Sequence, residues 1–206
     1  MTTPSYTSAE AISKIAVVAR AAISAAGKGE LVANVRDYGA VGDNVTDDTA
    51  AIQAAHDELT AGGKLYFPPG AYRMSGTVNI TNNVTVEGAS RGDLGALGDG
   101  VYILSRTGAV SPFVVSAGSV TFRQLTFVGY GVTCTASLSG QGTAITFASG
   151  DRHIVEQCTF QAWYKHLWFQ NCANWVVRDC YFDAASKYMI HIENVARPDS
   201  GDQVVS

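Results

Sequence analysis

The chain has 206 residues, of which 47% are hydrophobic and 16% are charged, and its formal net charge is -4. This composition supports a buried core and excludes a disordered chain, while the negative net charge argues against a protein that neutralises nucleic-acid phosphates. No apolar run reaches the roughly 20 residues of a membrane-spanning helix, and the first residues do not resemble a signal peptide. A soluble protein made in a cytoplasm, without membrane insertion, is therefore expected.

The first predicted element is a helix from Ser8 to Ala26, which is rich in alanine and is followed by Gly27. Its apolar residues recur at spacings of four and three, which places them along one side of the helix. Because the other faces are also poor in polar groups, we expect the helix to pack against copies of itself or a larger assembly. A helix that folds back on the main domain is the alternative.

A short strand, a glycine turn and a second helix are predicted within Val35 to Ala55. Thr46 or Asp47 is positioned to cap the free N–H groups of this helix. The acidic residues nearby also suggest a calcium loop, but Val45 occupies a position where such a loop needs an oxygen ligand. Capping is therefore the preferred interpretation, and neither a metal site nor a cofactor is predicted.

The four cysteines do not form a CxxC pair, and their spacing matches neither a zinc site nor a small disulfide framework. We therefore predict free thiols. The cysteines are Cys134, Cys158, Cys172 and Cys180.

An internal repeat runs through the second half of the chain. Residues 120–127 align with residues 153–160 and 175–182, and a weaker copy lies at 83–88. Between these copies runs a second strand series at 144–147, 166–169 and 189–192. Repeats of this length indicate stacked coils of two or three short strands, with parallel sheets around one apolar core. The predicted core stacks are Phe122 with Val155 and Val177, Leu125 with Cys158 and Cys180, and Phe127 with Phe160 and Phe182. A charge series of alternating sign is predicted on the outer face of the first strand series, at Glu87, Arg123, Glu156 and Arg178. A polar column is predicted at the turn after this strand, at Gln124, Gln157 and Asp179.

The stretch from Val35 to Ala55, followed by Gly62 to Tyr72, resembles the entrance of the pectate-lyase-like family found in phage tailspikes and in secreted polysaccharide lyases and hydrolases. The resemblance implies an all-β fold, a right-handed parallel β-helix (β-solenoid) with an N-terminal α-helix and a helical cap. Residues 1–30 then form a helical anchor or oligomerisation segment, 31–80 the entrance with the cap helix, and 81–206 the coils. No C-terminal cap is visible in the last residues, so we expect either an incomplete set of coils or a short subunit whose end is covered by a partner.

Three carboxylates are candidates for catalysis, since glycoside hydrolysis needs two of them flanking the scissile bond. Asp179 and Asp183 flank one strand end, and Glu156 lies about one coil away. The alternative is structural: Asp179 belongs to the polar turn column and Glu156 to the charge series.

Aromatic side chains are the candidates for carbohydrate binding, because sugar rings stack their C–H faces on indole and phenol rings. Trp168 and His191 are predicted to point outward, with Trp163, Tyr164 and Trp175 at nearby turns. Burial in an interface between subunits is the alternative. The other histidines are expected to be ordinary surface or turn residues; they are His56, His153 and His166.

Together these observations predict a homotrimeric phage tailspike or tail fibre in the virion tail, assembled in the host cytoplasm. The helix from Ser8 to Ala26 attaches to a tail or baseplate protein, and the β-helix recognises host surface polysaccharide. Depolymerase activity, as a glycoside hydrolase or lyase, is left open, with catalytic residues expected outside this segment. A non-catalytic tail adaptor and a secreted polysaccharide lyase are the alternatives.

Overall fold

The computed structural model describes residues 31–93, 99–105, 111–129, 142–183, 188–193 and 204–205. The predicted helix from Ser8 to Ala26 and the thiol of Cys134 lie outside the described residues. Within them, strands form three long sheets and one short sheet, and every strand pair is parallel.

The strand bounds are as follows. The first sheet contains β1 (Val32–Asn34), β3 (Gly63–Phe67), β6 (Val84–Gly88), β9 (Thr121–Arg123), β13 (Ile154–Glu156), β17 (Val176–Arg178) and β20 (Val204–Val205). The second contains β2 (Asp43–Asp47), β4 (Gly70–Met74), β7 (Val101–Ser105), β10 (Thr126–Val128), β14 (Thr159–Gln161) and β18 (Tyr181–Asp183). The third contains β5 (Val78–Ile80), β8 (Phe113–Val115), β11 (Thr143–Phe147), β15 (Lys165–Gln170) and β19 (Tyr188–Glu193), and the short sheet pairs β12 (Gly150–Asp151) with β16 (Cys172–Ala173).

The order of strands along the chain defines the architecture. From β3 onward the chain visits the first, second and third sheets in turn and then begins the next coil. Each strand therefore pairs with the equivalent strand of the previous coil, as βββ repeats stack along one axis. The protein is a right-handed parallel β-helix, which confirms the predicted fold class.

A single-turn 3-10 helix (Val35–Tyr38) and the helix α1 (Thr49–Asp57) lie in the first coil. Helix α1 packs against β1 and β5 and buries Ile52, Ala55 and His56, so it covers the core at this end. Asp47 accepts hydrogen bonds from the backbone N–H (3.1 Å) and hydroxyl (2.6 Å) of Thr49, the first residue of α1. The expected capping role is thus taken by Asp47.

The acidic side chains before α1 accept hydrogen bonds from the backbone of the preceding loop and stabilise its conformation. Asp43 accepts from the backbone N–H groups of Val45 and Thr46, and Asp48 accepts from those of Val41 and Gly42. Burial alone would raise the pKa of Asp47, but hydrogen bonds from Ser75 and Thr49 lower it to about 2. Among the described residues, no cluster of His, Cys, Asp or Glu side chains is arranged to hold a metal ion.

Aromatic columns fill the core between the sheets. Phe127 and Phe160 stack at 4.9 Å between ring centroids, and Phe160 and Phe182 stack at 5.2 Å. Phe122, Val155 and Val177 are also register partners on successive coils. These stacks confirm the predicted register, because equivalent side chains of a parallel coil repeat face the same core.

The predicted charge series runs up the outer face of the first sheet. Glu87 forms ion pairs with Arg123 and with Lys64 (3.0 Å). One coil further on, Arg178 Nε donates to Glu156 Oε2 at 2.8 Å. Burial opposes ionisation of Glu87, but the hydrogen bonds from Arg123 and Lys64 outweigh it and lower the pKa of this carboxyl.

The residues of the polar turn column form the turns between the first and second sheets through an unusual backbone conformation. Gln124, Gln157 and Asp179 adopt left-handed φ angles of 57°, 53° and 53° between the first and second sheets. These residues turn the chain at the same corner of three successive coils. A left-handed backbone conformation costs free energy for any residue other than glycine, and polar residues are found in it more often than branched apolar ones.

The expectation for three histidines is wrong. His56, His153 and His166 are buried, each with no exposed surface. His153 packs against Phe147 at 4.8 Å, and His166 lies beside the stacked rings of Phe160 and Phe182, at 5.9 and 5.5 Å from their centroids. A planar imidazole fills the same space as a phenyl ring in an aromatic column, which explains the burial.

Candidate carbohydrate-binding site

An aromatic and charged surface lies on the outer side of β15 and β19. Register pairs Trp168 with His191, Lys165 with Tyr188, and Gln170 with Glu193. Side chains alternate across a strand, so Phe169 and Leu167 enter the core while Trp168 faces outward and is half-buried. We call Lys165, Trp168, Tyr188, His191 and Glu193 the aromatic face.

Two charged side chains hold the indole of Trp168. The ammonium of Lys165 lies 3.5 Å from the ring centroid, a cation–π contact. The indole Nε1 donates to Glu193 Oε2 at 3.2 Å, which links the two coils. The ring is therefore oriented before any ligand arrives, which lowers the entropy cost of binding.

His191 lies between the other two rings of the aromatic face. Its centroid is 5.9 Å from that of Trp168 and 4.7 Å from that of Tyr188. The surface thus combines ring faces with an ammonium, an imidazole, a phenol and a carboxylate. Such a surface can stack on the C–H face of a sugar and exchange hydrogen bonds with the groups on its rim.

The remaining aromatic candidates divide between surface and core. Tyr164 is half-buried, and its carbonyl accepts from the backbone N–H of Tyr188 at 3.1 Å, so it borders the aromatic face. Trp163 and Trp175 are each only 2% exposed. This corrects the expectation that their indoles face a ligand: both turn residues point inward, and Trp175 stacks on Phe169 at 4.6 Å.

The three candidate carboxylates lie on different parts of the β-helix and make different contacts. Glu156 is on the first sheet and paired with Arg178, whereas Asp183 is on the second sheet and accepts from Gln161 Nε2 at 3.2 Å. Asp179 is exposed in the left-handed turn between these sheets. The structural interpretation therefore accounts for the side-chain contacts of Glu156 and the turn position of Asp179, and their role in catalysis stays a prediction.

A second concavity lies on the outer side of the second sheet. The cleft has a volume of about 440 Å³ and is lined by Arg91, Gly92, Asp93, Asp99, Thr159 and Tyr181. Tyr102 anchors its rim, since its phenol oxygen lies 2.6 Å from the carbonyl oxygen of Asp93 and 2.7 Å from Asp99 Oδ1, and its single proton can be donated to either. Burial, and secondarily the Asp99 carboxylate, raises the pKa of Tyr102 to about 12.

Sequence reasoning missed this cleft because its walls come from residues 91–93, from Asp99 and from two distant coils. The sequence signal for the cleft is the glycine-rich stretch at residues 92–100.

No helix in the described part of the chain has the length and apolar character to cross a membrane.

Comparison with known proteins relates the chain to enzymes named for polysaccharides. Residues 32–194 match the family described as "Rhamnogalacturonase A/epimerase, pectate lyase-like". Mannuronan C5-epimerase AlgE6 of Azotobacter vinelandii is 42% identical over 107 residues, which cover 47% of this chain and 12% of that protein. Alginate lyase 7 of the same organism is 46% identical over 69 residues, covering 29% of this chain and 8% of that protein. The chain thus spans a small part of the curated relatives that it matches.

Solved structures share the fold at low sequence identity. ORF18 of Geobacillus virus E2 matches with a TM-score of 0.54 and 16% identity, over 93% of this chain and 45% of that one. PfbA, a surface adhesin of Streptococcus pneumoniae, matches with a TM-score of 0.61 and 20% identity, over 84% of this chain and 45% of that one. With the family match spanning most of its length, the chain belongs to the rhamnogalacturonase A/epimerase, pectate lyase-like family.

Proposed function

We propose that the chain is the N-terminal and β-helical part of a phage tailspike or tail fibre, and that its aromatic face binds a host surface polysaccharide. The observation that carries the binding site is Trp168, half-buried on the outer face of a sheet and held in place by Lys165 and Glu193. His191 and Tyr188 extend the surface to the next ring positions. A polymer lying across β15 and β19 meets all five side chains.

Physical complementarity supports a sugar as the ligand. A pyranose ring offers an apolar face of C–H groups and a rim of hydroxyls, and the aromatic face offers rings surrounded by donors and acceptors. The site lies on paired strands rather than on a loop, so its geometry is preorganised. Curated relatives named as epimerases and a lyase of alginate polymers also favour a polysaccharide.

Binding can be tested by isothermal titration calorimetry with polymannuronate, polyguluronate and neutral dextran. We expect one of these polymers to bind and Trp168→Ala to weaken that binding about tenfold or more, as loss of one stacking contact implies. Tyr181→Ala is the matched control, because Tyr181 is 54% exposed but lies on the second sheet. Equal affinity of the Trp168→Ala variant and the unaltered protein would place the site elsewhere.

The attachment role rests on the segment from Ser8 to Ala26. Its continuous apolar side favours association of several copies, and a homotrimer attached to a tail or baseplate protein meets this requirement. A viral protein with a similar fold is consistent with a virion location. Light scattering of the native protein, compared with the mass of the denatured chain, should give three chains per particle; a monomer contradicts the trimer.

Polysaccharide modification is a second candidate function. The adjacent rings of Tyr188 and His191 are groups that transfer protons, and the family name includes an epimerase and a hydrolase. Incubation with polymannuronate, followed by proton NMR for epimerised residues and ultraviolet absorbance for unsaturated ends, tests this activity. The matched variant is His191→Asn, which should abolish turnover while retaining stacking by Trp168.

A further inference from the structure

The predicted core column that begins at Leu125 contains two thiols at equivalent positions of neighbouring coils, Cys158 and Cys180. Cys158 directly precedes β14 and Cys180 directly precedes β18. The register is continuous on both sides of the pair, with Glu156 opposite Arg178 and Thr159 opposite Tyr181. The backbone N–H of Tyr181 also donates to the carbonyl of Cys158 at 2.9 Å.

This stacking places the two backbones at the separation that a disulfide requires. Adjacent strands of a sheet lie roughly 4.8 Å apart, and disulfide-bonded residues have Cα atoms about 4.4 to 6.8 Å apart. The Cys180 thiol lies 3.5 Å from the carbonyl of Val155, a residue of the neighbouring coil. Each thiol also donates at 3.3 Å to the carbonyl two residues before it, so the two side chains leave their strands in the same direction.

We propose that Cys158 and Cys180 form a disulfide that links two coils when the folded protein meets a low-molecular-weight disulfide such as oxidised glutathione. In the first step the Cys180 thiolate attacks one sulfur of oxidised glutathione, forms a mixed disulfide and releases one glutathione thiolate. In the second step the Cys158 thiolate attacks the Cys180 sulfur and releases the second glutathione. The two protein thiols are oxidised, one disulfide is reduced to two glutathione molecules, and the two protons go to those leaving groups.

The surroundings of the two thiols assign their roles. Cys180 is half-buried and can meet a small oxidant, whereas Cys158 is fully buried and reaches only its neighbour. A hydrogen bond with Cys158 lowers the pKa of Cys180, which favours the attacking thiolate. Burial raises the pKa of Cys158, so this thiol acts second, on the mixed disulfide beside it.

Cys172 provides a matched control within the same core. It is buried, but its thiol donates to the carbonyls of Phe147 (3.4 Å) and Gln170 (3.0 Å), on other strands. Burial raises the pKa of this thiol to about 11. A Cys172→Ser variant should therefore form the link as readily as the unaltered protein.

The experiment exposes the folded full chain to oxidised glutathione and maps its peptides by mass spectrometry without reduction. We expect a Cys158–Cys180 peptide pair, a mass loss of about 2 Da for the two hydrogens, and reversal by dithiothreitol. Because the disulfide would close the loop from Cys158 to Cys180 and so restrict the unfolded chain, it should also raise Tm by about 5 to 10 °C. The Cys180→Ser variant should show neither change.

Two results would overturn the proposal. One is absence of the linked peptide in the folded protein while the same treatment links the chain in urea, which shows that the native geometry forbids the bond. The other is a link from either residue to Cys134, to Cys172 or to a second chain, which shows that the stacked pair is not the reactive one.

Discussion

Replacement of His166 by phenylalanine should remove much of the acid sensitivity of the fold. The imidazole is fully buried beside the stacked rings of Phe160 and Phe182, with its centroid 5.9 and 5.5 Å from theirs. Burial lowers the pKa of His166 from 6.5 to about 4, although the charge of Asp183 opposes the change. The fold therefore favours the neutral ring, and phenylalanine preserves the aromatic stack without a group that titrates.

The sign and size of the effect follow from proton linkage. Because the pKa is lower in the folded state, the unfolded chain binds more protons between pH 6.5 and about 4. The stabilisation due to neutral His166 is complete above pH 6.5 and is lost as the pH falls through this window. A shift from 6.5 to about 4 corresponds to about 3 kcal/mol of unfolding free energy.

Urea unfolding measures this difference directly. The free energy of unfolding of each protein is determined at several pH values by tryptophan fluorescence and circular dichroism, which should agree if the transition is two-state. The unaltered protein should lose about 3 kcal/mol more than His166→Phe between neutral pH and about pH 4. His153, whose pKa burial also lowers, is present in both proteins and cancels in the comparison. Parallel pH profiles would refute the reasoning.

Two further predictions concern the charge series on the first sheet and the turns. Arg123→Ala should destabilise the protein by about 1 kcal/mol, because it removes one of the two cations that pair with the largely buried Glu87. The double variant that also carries Lys64→Ala should cost more, since Glu87 then keeps neither cation, and chemical denaturation compares the two proteins. Gly39→Ala should cost about 1 kcal/mol for a left-handed φ of 102° with open space around the added Cβ. Gly62→Ala should cost over about 2 kcal/mol, since its φ is 91° and the added Cβ lies 2.8 Å from a backbone carbonyl oxygen, so equal Tm losses for the two glycine variants contradict this account.

The repeat made much of the fold predictable. Equivalent residues of a stacked coil have the same neighbours, so the alignment of Phe127, Phe160 and Phe182 predicted both the strands and their register. The alternation of charge from Glu87 to Arg178 added an independent check, and the ion pairs confirm it. Local patterns were sufficient here because the long-range contacts of a β-helix repeat the local ones.

The turns and the site depended on packing that a strand pattern does not encode. Trp168 and Trp175 carry the same side chain near the same coils, yet one is held outside by Lys165 and Glu193 while the other fills the core. His166 resembles a surface residue by polarity, but its planar ring packs beside the Phe160 and Phe182 column and is therefore a core group.

By itself the sequence determined the coil, its register and the outward position of Trp168, because those follow from a period that is repeated along the chain. Only the tertiary structure decided which turn residues enter the core, which carboxylates form ion pairs, and where the cleft on the second sheet opens. These outcomes depend on the volume left between neighbouring coils and on side chains that are distant in sequence, such as Arg91 and Tyr181.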